Sequence, residues 1–318
     1  MKNEIIEMDS VAIQPIVDIN SMFQDWLDYL RLNVSAGTIS PDTAASYDRG
    51  ATKFIKFLNG RQSSQDIILE WMSALKSDGK KPATINAWLS GVRAFFGWAT
   101  TKAHITFNPS QGIRGAKRSG TKKRHVREAF TDAEVRALLA QPNRETDAGK
   151  RDYALLIIQL YTAGRGIEFY RSNISDIKTE NGRTVLYIQG KGHDDKEEPL
   201  ILQPTAEEAL REWLSIHPNK SDPLFCSLSQ RSYGKRLSRS ATRAIIHGYI
   251  KAAGIVGKKS VHSLRHTAIT NAIRHGVPIQ RVSKQLARHA SLDTTMIYVH
   301  EADRMSDPVE DHIIYDEA

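Results

Sequence analysis

Between Arg114 and Arg127 the chain carries seven bases, Arg114, Lys117, Arg118, Lys122, Lys123, Arg124 and Arg127, and no acid, in a stretch that also holds Gly115, Ser119, Gly120 and Thr121. Like charges at this density repel one another, and the run has too little apolar content to be buried, so it cannot pass through a core. It therefore divides the 318 residues into two stretches that must each build a core of their own, residues 14–112 and 128–300, both of ordinary domain length. Residues 113–127 then form a linker with a strong positive field, and residues 301–318 a short tail.

The balance of charge sharpens this reading. The formal total is +8, but the stretch from Glu301 onward holds seven acids against Arg304, a net of −6, so the remaining chain carries +14. A body this basic points to a polyanionic partner, while the acidic tail would be repelled by one. With 40% hydrophobic and 25% charged residues the composition is that of globular domains, which excludes wholesale disorder and fibrous architecture. No apolar run approaches the roughly 18 residues of a membrane span, and the opening MKNEIIEMDS is acidic where a signal peptide would be basic and then apolar. Neither membrane insertion nor export is expected, and the chain reads as cytoplasmic. Cys226 is the single cysteine, so there is no intrachain disulfide and no cysteine metal cluster; beside Phe225 it reads as a small buried apolar side chain.

Apolar spacing makes the chain mainly α with a small β-sheet. Four helices are expected ahead of the linker: Ser21–Asn33, with Met22, Trp26, Leu27 and Leu30 on one stripe; Pro41–Leu58 behind the cap Ser40; about Ser64–Leu75; and Pro82–Thr101, with Ile85, Leu89, Val92, Phe95 and Trp98. Their aromatic stripes are those of a helix-bundle core. Past the linker, Thr131 and Glu134 form a capping-box pattern, and Arg151–Ala163 reads as a buried helix. Short strands are expected at Asp176–Ile177, Thr184–Gln189 and Pro199–Leu202, the last two flanking the polar turn Gly190–Glu198. Helical spacing resumes near Thr205–Ile216, Arg239–Ala253, Ser263–Arg274, Ile279–Ala287 and Leu292–Val299.

Four local patterns in the second unit can carry chemistry. His262-Ser-Leu-Arg265 spaces an imidazole and a guanidinium one helical turn apart, able to grip a phosphate, although such pairs more often form a solvated face. In Thr162-Ala-Gly-Arg165-Gly-Ile-Glu168 an arginine follows a buried helix, with a carboxylate one turn on to brace it; a purely structural ion pair is the alternative. Lys191 sits between Gly190 and Gly192 at the expected hairpin turn, where it either solubilises or protonates a leaving alkoxide. Finally, Ala287-Arg288-His289 precedes Tyr298 by nine residues in Thr294-Thr-Met-Ile-Tyr298-Val-His300. A phenol can act as nucleophile where cations stabilise the phosphorane that its attack creates.

Taken in order, Arg165, Lys191, His262-x-x-Arg265, His289 and Tyr298, on a mixed helical domain behind a helical bundle and a basic linker, the chain resembles the tyrosine recombinase or phage integrase family, from about Ser21 to Tyr298, with a simple Xer- or Cre-like two-domain layout. Two departures stand out: family members usually show Gly-Leu-Arg and Leu-Gly-His where this chain has Ala163-Gly-Arg165 and Ala287-Arg-His289.

The resemblance implies an N-terminal SAM-like core-binding bundle at residues 14–112 and a mixed α/β catalytic domain at 128–300, clamped around DNA with the linker bases on the duplex. It implies strand cleavage through a 3′-phosphotyrosine on Tyr298. Arg165, Arg265 and His289 would stabilise the phosphorane, Lys191 would be the general acid, His262 would assist proton transfer and Glu168 would support Arg165. It implies neither metal nor other cofactor. The partner is double-stranded DNA with paired inverted half-sites, bound by a homotetramer, with the tail, residues 301–318, contacting a neighbouring protomer. A type IB topoisomerase and an inactive DNA-binding regulator are the alternatives; the tail argues against the first, and six filled reacting positions against the second.

Overall fold

The computed structural model describes residues 18–117, 128–190, 195–218 and 222–299, and the chain divides into two compact units near residue 120.

In the first unit, four helices appear where apolar spacing puts them: α1 (Ile19–Ser35), α2 (Pro41–Leu58), α3 (Gln65–Ser77) and α4 (Pro82–Thr101). Side chains start three of them, Asp18, Ser40 and Ser64 accepting backbone N–H groups of the first turn that have no partner within the helix. The core is aromatic, with Phe54, Phe95 and Phe96 fully buried and Trp26 and Trp71 nearly so. The rings meet mainly edge to face, Trp26 on Phe95 at 5.4 Å and Phe54 on Trp71 at 5.3 Å, as their quadrupoles favour.

Two glycines set the closest crossing. A Cβ on Gly50 of α2 would stand 2.3 Å from the Trp88 carbonyl oxygen, and one on Gly91 of α4 would stand 2.2 Å from that of Tyr47. Backbone meets backbone here, and only hydrogen fits.

The second unit opens with α5 (Asp132–Leu139) behind the expected capping box, Thr131 N donating to Glu134 and Glu134 N to Thr131. Next come α6 (Asp147–Thr162), α7 (Gly166–Arg171) and an antiparallel sheet in the order β1 (Ile177–Glu180), β2 (Arg183–Ile188), β3 (Glu198–Ile201). Leu186 sits opposite both Ile177 and Leu200, so one face of the sheet is apolar and joins the main core. Then follow α8 (Pro204–Ser215), α9 (Arg239–Ala252), α10 (Val261–Arg274), α11 (Ile279–Arg281) running into a π-helical segment, Val282–Ala287, and α12 (Leu292–Val299). Cys226 is fully buried in the main core, as its sequence neighbours suggest.

Some boundaries differ from the sequence reading, for identifiable reasons. α6 starts four residues early, because Thr146 caps it through Gly149 N ahead of the apolar run. β1 begins at Ile177 because the Asp176 carboxylate is taken up in the preceding turn, by Asn173 N at 2.6 Å and Lys196 at 2.5 Å. α10 starts at Val261 behind Ser260, so His262 lies inside it. The stretch from Ile279 to Ala287 is only briefly α-helical. No helix among the described residues is long and apolar enough to cross a membrane.

Candidate active site

α6 ends at Thr162, and Ala163 takes the left-handed conformation, φ +52°, that turns the chain out of the helix. Gly164 must follow: a Cβ there would lie 2.3 Å from the ring of the buried Phe169. This turn delivers Arg165 to the start of α7, where Glu168 holds it twice. Arg165 N donates to Glu168 Oε2 at 2.7 Å and Nη1 to Oε1 at 2.9 Å. Glu168 is 1% exposed, whereas the Arg165 side chain keeps 25%. The carboxylate is thus a buried anchor, and the guanidinium faces partly outward.

Arg265 comes from α10 and is 2% exposed. Nη1 donates to the Ala163 carbonyl at 2.5 Å and Nη2 to the Ala287 carbonyl. One guanidinium therefore ties together the two turns that carry Arg165 and His289. Burial pushes its pKa down to about 10, with the charges of Arg165 and Arg288 acting in the same direction. It remains charged at neutral pH in a place where a nearby anion would be strongly favoured.

His289 follows the π-helical segment, its backbone N–H bonded to the Ser283 carbonyl at 3.1 Å. Its Nδ1 is 2.8 Å from the hydroxyl of Thr295, a fully buried residue of α12, which fixes the ring and turns the other nitrogen away from that partner. Tyr298, one turn further along α12, is 1% exposed, with its ring 5.9 Å from and stacked on His289 and 4.7 Å from His266. It belongs to a small apolar cluster with Ala163, Ala268, Ile269, Val282 and Ala287.

The structure thus gathers Arg165, Glu168, Arg265, His289 and Tyr298. A cleft of about 330 Å³ reaches two of them, Arg165 and His289, and is lined also by Gly190, Glu198, Lys284 and Arg288. His262, in contrast, is exposed at the start of α10 and lines a different cavity, of about 290 Å³, with Arg239, Arg243 and His247. Being one turn from Arg265 places it near the cluster along the helix but on a different cavity. Lys191 lies outside the described residues, as do Arg118, Lys122, Lys123, Arg124, Arg127 and the tail; Arg114 and Lys117 are described, and both are exposed.

Two contributors escaped the sequence reading. Thr295 was visible only as part of the Thr-Thr-x-x-Tyr string. Arg288, which the sequence showed only as a departure from the family pattern, does not face solvent: its side chain is 7% exposed and donates to Glu168 Oε2 at 2.9 Å. Among the described residues no cluster of His, Cys, Asp or Glu could hold a metal ion.

Comparison with known proteins agrees on the family. The model of the phage integrase family matches residues 128–305, and that of the phage integrase N-terminal SAM-like domain matches residues 23–103. A tyrosine recombinase of Synechococcus elongatus is 30% identical, with 94% of each chain covered, and the tyrosine recombinase XerD of Oceanobacillus iheyensis is 27% identical over 87% of this chain and 92% of its own.

In fold the chain is similar to the XerH site-specific recombinase bound to palindromic difH substrate (TM-score 0.67, 22% identity, 82% and 77% covered). It is also similar to a lambda integrase(75–356) dimer bound to a COC′ core site (TM-score 0.65, 18% identity, 85% and 96% covered). With the integrase model matching more than half of its residues and a relative 30% identical along nearly its whole length, the chain belongs to the phage integrase family, the tyrosine recombinases.

Proposed function

We propose that this chain is a cytoplasmic site-specific DNA recombinase, working in integration and excision or in dimer resolution, with Tyr298 as nucleophile. The observation that carries the reading is that Arg165 and His289 line one cleft, that the buried Arg265 ties together the turns carrying them, and that Tyr298 stacks on His289. The Tyr298 oxygen attacks the scissile phosphorus in line and loses its proton. A phosphotyrosyl bond forms to the 3′ side, and the bond to the 5′ oxygen breaks. That oxygen takes a proton, from Lys191 in this scheme, and leaves as a hydroxyl. A 5′-hydroxyl of the partner strand then attacks the phosphotyrosine and releases the phenol. Arg165 and Arg265 offset the charge of the phosphorane, His289 donates to it, His262 assists proton transfer, and Glu168 holds Arg165. The bond energy stays in the phosphotyrosine, so no cofactor is needed for religation.

Because Tyr298 is 1% exposed here, cleavage requires α12 to shift when DNA enters. The linker bases bind the duplex backbone, and residues 14–112 with 128–300 grip it as two domains. Double-stranded DNA with paired inverted half-sites, occupied by a homotetramer joined through residues 301–318, fits strand exchange between two duplexes. The palindromic substrate of the XerH complex supports the paired half-sites, and the dimer of the lambda integrase complex supports assembly of protomers on DNA.

The deciding experiment is Tyr298→Phe, which removes only the nucleophilic oxygen. Denaturing gels are expected to show loss of the covalent protein–DNA adduct, with binding nearly unchanged because affinity comes mainly from phosphate contacts elsewhere. An adduct persisting in the Phe variant would move the nucleophile to another tyrosine, Tyr315 first.

A further inference from the structure

Arg288 occupies the position where the family resemblance leads one to expect glycine, and its backbone has φ +49°, a conformation that glycine adopts freely and arginine only against crowding of its Cβ. The side chain nevertheless turns inward. Nη2 donates to Glu168 Oε2 at 2.9 Å, Nη1 to the Leu286 carbonyl at 3.2 Å, and Nε lies 3.8 Å from the Glu198 carboxylate. Its own carbonyl accepts from Arg165 Nη2 at 3.2 Å.

The arrangement around Glu168 is therefore competitive. A buried carboxylate facing one guanidinium normally takes it as a fork, with both oxygens engaged by two N–H groups of the same arginine. Here Oε2 is occupied by Arg165 N and by Arg288 Nη2, and Arg165 reaches only Oε1 with Nη1. The far edge of Arg165 is held by the Arg288 carbonyl instead of being drawn onto the carboxylate, and its side chain remains 25% exposed.

We propose that Arg288 is a positioning residue for DNA cleavage: by filling Glu168 Oε2 and giving its carbonyl to Arg165, it prevents the bidentate Arg165–Glu168 pair and keeps Arg165 turned toward the scissile phosphate. The inference rests on the reading that Arg165 engages that phosphate. Strain at a left-handed arginine, retained next to reacting groups, is consistent with a functional constraint.

The test uses the full chain and a synthetic duplex carrying a site mapped by covalent trapping on genomic DNA, with sulfur as the 5′-bridging atom, so that slow cleavage accumulates irreversibly. Single-turnover cleavage, duplex affinity and Tm are measured for the wild type, Arg288→Met, Arg288→Lys, Arg165→Ala and the Arg165→Ala/Arg288→Met double variant. Arg288→Met is expected to slow cleavage about tenfold to hundredfold, the scale of a misplaced catalytic group. Affinity should hardly change, Tm should fall by several degrees as the buried Glu168 loses a partner, and Arg288→Lys should recover part of the rate.

In the Arg165→Ala background the Met substitution should add less than about a factor of two, because the group it positions is gone. Wild-type rates in Arg288→Met, or the same factor in both backgrounds, would overturn the proposal; the second result would mean that Arg288 acts on the phosphate itself or on the fold at large. If Arg288→Met melts, Arg288→Gly, whose backbone suits the turn, is judged by the same criteria. A wild type that forms no adduct removes the active-site reading and this inference together, whereas a cleaving wild type with an indifferent Arg288→Met removes only the inference.

Discussion

Arg265 shows how strongly this site would favour an anion. It is nearly fully buried, spends two of its donors on backbone carbonyls, and sits in the field of Arg165 and Arg288, against one fully buried carboxylate, Glu168. A phosphate in the cleft relieves that repulsion. Lysine keeps the charge but cannot reach both the Ala163 and Ala287 carbonyls from one flat fork. Arg265→Lys is therefore expected to cost about 1–3 kcal/mol for the orphaned carbonyl, a Tm drop of several degrees, and to slow cleavage by at least about a hundredfold. A variant that cleaves at the wild-type rate would remove Arg265 from catalysis. At this scale the sequence singled out Arg165, Glu168, Arg265, His289 and Tyr298, which the structure gathers, because their order and spacing are distinctive. It could not disclose Arg288, whose partner Glu168 is distant in the chain and whose inward turn depends on a left-handed backbone. Nor did the three-residue spacing of His262 and Arg265 reveal that one is exposed on its own cavity while the other is buried.

Apolar periodicity made the helices of the first unit readable to within about two residues, because each carries one buried stripe, and two of them, α2 and α4, start at a proline. Helix boundaries in the second unit were harder where the cap lies outside the apolar run, as at Thr146, and the π-helical segment Val282–Ala287 has the same composition as an α-helix. The close crossing of α2 and α4 was equally invisible, since glycine in a helix looks only like a weak helix former. The structure separates two glycines of α4 on this basis. A Cβ on Gly91 meets the backbone of Tyr47, which cannot yield, whereas one on Gly97 meets nothing within 4 Å. Gly91→Ala is expected to destabilise the first unit by more than about 3 kcal/mol, beyond ordinary overpacking. Gly97→Ala should stabilise it by about 0.5–1 kcal/mol through helix propensity. Intrinsic fluorescence during denaturation distinguishes them, since Trp26, Trp71, Trp88 and Trp98 all lie in this unit and only Trp213 in the other. Equal effects of the two substitutions would contradict the crossing.

For the whole molecule the decisive quantity is where the charge lies. The body carries +14 and the segment from Glu301 onward −6, and the densest positive stretch is the linker, remote from the reacting groups in sequence. Bases that bind phosphates release condensed counterions, so log affinity falls linearly with log salt at a slope of about −0.9 per contact. Replacing Lys122, Lys123 and Arg124 by alanine is therefore expected to flatten that slope by up to about 2.7 and to weaken binding to matched and unrelated duplexes by the same factor, because phosphate contacts carry no sequence information. The rate of cleavage within the bound complex should remain that of the wild type, since no proposed reacting group is touched. Fluorescence anisotropy across a salt series, with single-turnover cleavage at saturating protein, measures both. An unchanged slope would place the linker off the DNA, and a loss confined to the matched site would make these residues readers of sequence rather than holders of the backbone.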